Sequence, residues 1–209
     1  MRFTRLLSLR MLAPVTWGGA LIVAGMIVGA AVGYPVPYRW SSQYLSALGL
    51  IYLNGDIANF FSASLFNCSL VLAGVLSAVY FCQQAVAWGR WRCILSHAVG
   101  LLGGIGLAAI GLIPFDLHPV WHNQATYVAS GALGLSILLS SLGSPPAGCR
   151  RSEETLWLLF GLFCLFFWLM LKPIAGNGPI CQKLVIGFFW LYMLWHGVAL
   201  QLHVRKGMS

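Results

Sequence analysis

Acidic residues are almost missing from this chain. Of 209 residues only four are Asp or Glu, and all charged side chains together make up 8%. A water-exposed domain carries roughly a quarter of its residues as charges, so a soluble globular fold is excluded, and with it a disordered tail or a coiled coil. No C-x-x-C pair occurs among the six cysteines, and of these only Cys181 is expected near an outer face. A secreted disulfide scaffold is therefore excluded as well. No internal repeat is visible, nor are the paired broken helices of a transporter. The twelve basic residues form no long patch, which argues against a nucleic-acid partner despite the net charge of +8. The glycine run at Gly100, Gly103, Gly104 and Gly106 lacks both a preceding strand and a following Lys-Ser or Lys-Thr, so it is no phosphate loop. No cofactor is expected.

Apolar residues are abundant instead. The hydrophobic share is 59%, with nine Trp, twelve Phe and seven Tyr, and the mean hydropathy is +0.83. Such a surface is wetted by lipid. Windows of about 20 residues place six spans near 15–34, 58–82, 93–113, 123–143, 156–171 and 181–203. The reading is an all-α, integral membrane six-helix bundle, with residues 1–209 forming one transmembrane domain. The first span is too long for the apolar region of a cleaved signal and is read as an anchor. With the amino terminus in the cytoplasm, nine basic residues (Arg2, Arg5, Arg10, Arg90, Arg92, Arg150, Arg151, Arg205 and Lys206) lie inside. Three (Arg39, Lys172 and Lys183) lie outside. This asymmetry predicts both termini cytoplasmic, in a bacterial inner membrane.

Between the spans, residues 35–57 are too polar to cross and too apolar to float, so they are expected at the interface as a short helix or re-entrant piece. Residues 144–154 read as a solvated inner turn, with Ser152 opening the fifth helix ahead of Glu153 and Glu154. Gly25, Gly29 and Gly33 repeat every fourth residue, as do Gly100 and Gly104. Such stripes let helices approach closely. They serve packing inside the bundle or, in the sharper reading, a homodimer seam through Gly25, Gly29 and Gly33.

Polar groups gather at the outer boundary: Arg39, Asp56, Asn59, Asp116, His118, His122, Asn123 and Lys172 among them. The densest stretch runs from Gly111 to His122, where Pro114 is expected to end the third helix and the fourth to start near His122. Three readings compete there. Asp116 accepts backbone N–H groups at a helix start or pairs with Arg39, and the histidines decorate the interface. Alternatively Asp116, His118 and His122 bind a metal such as zinc for lipid hydrolysis or transfer, with Asp56 as general base, although Pro119 interrupts the helical spacing. In the third, Arg39 and Lys172 hold a lipid phosphate while Asp56 or Asp116 takes an amine or hydroxyl. Toward the cytoplasm His97 and His196 lie at similar depth, the arrangement of a haem between two helices. Their plainer role is a hydrogen bond to a neighbouring helix. An accessory subunit of a larger membrane complex is a further class that glycine-striped, aromatic-rich spans suit.

Two stretches resemble a bacterial and archaeal family of multi-span proteins catalogued as domain of unknown function nine-nine-eight, itself distantly similar to autophagy-modulator and lipid-anchor-remodelling membrane proteins. One is Tyr44, Leu45, Ser46, Ala47, Leu48 and Gly49, with Ala47 at a position that is usually acidic in the family. The other is Gly111, Ile113, Pro114, Asp116 and His122. The resemblance implies six helices and a functional face outside the cytoplasm that includes Ser46. It implies no reaction, and its lipid-handling relatives favour headgroup recognition. The partners expected are membrane lipids or a membrane protein.

Overall fold

In lipid a backbone has no water to bond, so an apolar run satisfies its N–H and C=O groups internally as helix. A computed structural model describes residues 2–88, 91–142, 158–159, 161–162 and 178–206. Among these residues the long elements are all helical: α1 (Arg2–Val32), α2 (Phe60–Trp88), α3 (Trp91–Leu112), α4 (Pro119–Leu142) and α5 (Gly178–Lys206). Four are long and apolar enough to cross a membrane, through Val15–Val32, Phe60–Cys82, Ile94–Leu112 and Gly178–Trp195. The fourth helix, α4, is 24 residues long, or about 36 Å, and carries polar His122, Asn123 and Gln124 in its first turns. The span expected near 156–171 falls largely outside the described residues, as do Ser152 and Lys172.

Neighbouring helices run antiparallel. Around the bundle α5 packs on α1, α1 on α2, α2 on α3 and α3 on α4. The tightest crossing is that of α2 and α3. A Cβ placed on Gly104 would lie 2.9 Å from both the Ala78 nitrogen and the Gly74 carbonyl oxygen, so the two backbones touch there. Gly29 and Gly33 of the other stripe face Leu65 and Phe61 of α2, whereas Gly25 meets nothing within 4 Å. Two of those three glycines are thus used inside the chain. Between α3 and α4, buried Ser96 donates to the Ser136 carbonyl at 2.9 Å and lies 2.6 Å from the Ser140 hydroxyl. Outward faces are apolar, with Leu21, Val28, Val75, Leu102, Ile105 and Leu191 exposed.

At the end where α1 finishes and α2 begins, residues 35–59 fold back over the bundle. The interfacial piece expected there is a 3₁₀ turn, Leu45–Gly49, followed by a two-stranded antiparallel hairpin, β1 (Tyr52–Leu53) and β2 (Ile57–Ala58). The hairpin is an addition to the short helix or re-entrant piece expected there. Its turn uses Asn54 at φ 52° and Gly55 at φ 87°, the paired left-handed conformations for which Asn-Gly is suited. Leu45, Leu48 and Leu53 are buried with Tyr34, Phe66 and Ile110, so the segment plugs the bundle end and is anchored there. A second expectation also shifts. Helix α4 starts at Pro119, three residues before His122, because proline's fixed φ and missing N–H suit a first helical position.

Candidate functional site: a polar vestibule above an apolar slot

Helix starts supply the groups that hold the plug. Asn59, 1% exposed, donates through Nδ2 to the carbonyls of Leu48 (3.1 Å) and Leu50 (2.8 Å). Ser62 donates to Leu48 at 3.0 Å and Asn67 to Gly49 at 3.1 Å. From the α3–α4 connection, Asp116 Oδ2 accepts the N–H groups of Ile51 (2.8 Å) and Tyr52 (3.0 Å). From α5, Gln182 Oε1 accepts the Leu45 N–H at 2.7 Å. The Lys183 ammonium donates to the Gln43 carbonyl and, at 3.3 Å, to that of Pro179, and it sits 5.5 Å from the centre of the Tyr38 ring. Tyr38 also donates to the Gln43 carbonyl. Burial, with the Tyr34 phenol beside it, pushes the Tyr38 phenol well above its ordinary pKa, so it remains a donor.

This clamp leaves two adjoining cavities. The outer vestibule, about 520 Å³, is walled by Ser42, Gln43 and Tyr44 from the connection and by Asn123 of α4. Beneath it an apolar slot of about 100 Å³ enters the bundle among Ile27, Phe66, Ile110, Leu133, Ile137 and Phe189. All five helices contribute to its walls. Ser46, His122, Thr126 and Gln182 line both spaces and form the boundary between them. From His122 to Ile137 the slot follows α4 for about 22 Å, deeper than half of a hydrocarbon core of about 30 Å.

His122 is the pivot of this boundary. It is 5% exposed, its ring meets Phe115 edge-on at 5.6 Å, and its Nδ1 lies 2.7 Å from the Ile113 carbonyl oxygen. A carbonyl only accepts, so Nδ1 carries the proton. In the neutral ring Nε2 then keeps a lone pair for the cavities that the ring lines. The Gln182 amide, with Oε1 committed to Leu45, retains its NH₂ as donor. Thr126 gives its proton to the His122 carbonyl at 2.8 Å, which leaves its oxygen as acceptor.

Of the described residues expected at a site, the structure brings only Ser46 and His122 to the cavities. Arg39 is exposed and Asp56 lies exposed in the hairpin turn. Asn59 is a buried clamp. Asp116 does not pair with Arg39, since its carboxylate is aimed at backbone N–H groups of the plug. The metal reading is corrected: among the described residues no three His, Cys, Asp or Glu are grouped to hold an ion. The reason is local, as His118 is exposed while His122 turns inward onto Ile113. For the haem reading, His97 is half-buried on α3 against Phe81, with ring centres 6.2 Å apart. The side chain of His196 lies outside the described residues. Sequence reasoning missed Gln43, Thr126 and Gln182. Thr126 was detectable as the residue one turn below His122, and Gln182 as a polar group opening an apolar span.

Compared with protein-family profiles, curated proteins and solved structures, the chain matches none of them.

Proposed function

We propose that this chain is an integral membrane protein that binds a lipid within its bundle, headgroup in the vestibule and hydrocarbon in the slot. The observation that carries the reading is the junction itself: one polar and one apolar space sharing Ser46, His122, Thr126 and Gln182. Few ligands other than amphiphiles match such a partition. Exposed Trp40, Tyr44, Tyr52 and Trp121 at the same end suit a membrane–water interface, where aromatic rings concentrate. The charge asymmetry of the sequence supports an outward-facing vestibule in a bacterial inner membrane, both termini in the cytoplasm and a sixth crossing within 156–171. The resemblance to a family with lipid-handling relatives agrees with this by analogy. Headgroup contacts are assigned to the four boundary residues in place of Arg39 and Asp56.

Blocking the slot tests the reading. Ala129→Trp fills it from α4, where the native side chain lines the space. Purified wild-type protein should retain lipid through native mass spectrometry in mild detergent, and the variant should lose most of it while eluting as a folded species. Equal retention by both removes the proposal.

A further inference from the structure

The side chains at the junction also define what kind of headgroup fits, an inference that rests on the lipid-binding reading above. None of the described residues lining either cavity is Asp, Glu, Lys or Arg. Among the described residues, the cations at this end of the bundle are occupied or turned away. Lys183 is tied to two carbonyls, and Arg39 is exposed outside the vestibule. Of the first residues of α4, Pro119 has no N–H and the N–H groups of Val120 and Trp121 are unbonded within the helix, and none of the three lines the cavities.

An ionised phosphate accepts hydrogen bonds and donates none. Placed at the junction it finds donors in the Gln182 amide and the Ser46 hydroxyl, but no cation from the described lining offsets the unfavourable burial of its charge, and the Thr126 oxygen offers it only a lone pair. A hydroxyl both donates and accepts. It gives its proton to His122 Nε2 and receives one from the Gln182 amide, and the Ser46 hydroxyl rotates to supply whichever role remains. Volume limits the other end of the ligand. A slot of about 100 Å³ is smaller than the roughly 150 Å³ apolar cavity that holds one benzene, so it takes the leading carbons of one chain and has no room for a second alongside them. We infer that the site takes a single-chain amphiphile with an uncharged, hydroxyl-bearing headgroup, in preference to a phospholipid.

Four photoactivatable probes bearing the same diazirine acyl chain test this on the full-length protein in nanodiscs: a monoacylglycerol, a diacylglycerol, a lysophosphatidic acid and a lysophosphatidylethanolamine. Cross-linked peptides are mapped by mass spectrometry. The monoacylglycerol should label slot residues of α4 and α5 at least about tenfold more than either phosphate lipid, and unlabelled monoacylglycerol should compete. Ser46→Ala, which removes a hydroxyl that the fold does not use, should lower that labelling with no change in thermal stability. Undiminished labelling in this variant overturns the headgroup placement. Equal or stronger labelling of the same residues by a phosphate lipid overturns the uncharged class and leaves the lipid site standing. Equal labelling by the diacylglycerol overturns the single-chain limit. Absence of slot labelling by every probe overturns this inference and the lipid-binding reading together.

Discussion

Asp116 illustrates how a carboxylate at a membrane boundary finds work without a cation. Its Oδ2 receives two N–H groups from a segment about 65 residues away in sequence, and charge-assisted bonds of that kind are stronger than neutral ones. Asp116→Ala leaves both donors without this acceptor and should cost about 1–3 kcal/mol, read as a lower melting temperature in detergent. Asp116→Asn keeps an acceptor oxygen and should recover much of the loss. Identical melting of both variants and wild type would show the clamp to be idle. That an aspartate here mattered was legible from its position at the end of an apolar run. Its partner was not legible, since nothing local links Pro114 and Asp116 to Ile51. His122 was likewise visible as a polar residue opening a helix, but its tautomer depends on the Ile113 carbonyl, which the end of α3 presents only once the chain has folded.

At the level of elements, five of the six expected runs correspond to described helices, and Pro114 ends α3 as expected because its effect is local. Helix α1 nevertheless begins at Arg2, well ahead of the expected 15, α2 continues to Trp88, and the run at 156–171 lies largely outside the described residues. The connection between α1 and α2 did not translate as well. Asn54 and Gly55 signal a hairpin turn, yet the surrounding Leu and Ile residues suggest helix until tertiary burial of Leu45, Leu48 and Leu53 decides the matter. Glycine stripes were legible as contact surfaces, though not which neighbour each would meet. Two substitutions separate these cases. Gly104→Leu forces a side chain against backbone atoms of α2, which no rotamer change relieves, and should destabilise by about 1–3 kcal/mol or more. Gly25→Leu, with open space around it, should leave melting and oligomeric state unchanged. A shift in the sedimentation of Gly25→Leu would instead reveal a seam between two copies.

For the molecule as a whole, the antiparallel helices bring all the site-forming pieces to one end. Gly178 packs beside Tyr44 there, while Gly197 of α5 approaches Thr16 of α1 toward the other. The first residues of α1 and the last of α5 therefore share the end opposite the vestibule. The side of the membrane proposed for each end rests on the distribution of basic residues. In a cysteine-free background, Asn54→Cys in the exposed hairpin turn should react with a membrane-impermeant maleimide added to intact spheroplasts. A cysteine replacing Met208 should react only after the membrane is opened. The reverse pattern would place the vestibule in the cytoplasm and withdraw the outward-facing assignment.

The bond from Leu45 to Gln182 joins residues 137 positions apart. At synthesis rates of about 5–20 residues per second, Leu45 precedes Gln182 by on the order of ten seconds. During that interval the earlier helices are already made, while the mouth of the proposed lipid site lacks its α5 wall. A nascent or truncated chain stopped before α5 would thus be unable to hold the proposed ligand, so occupancy of the site would report that α5 has been made and docked.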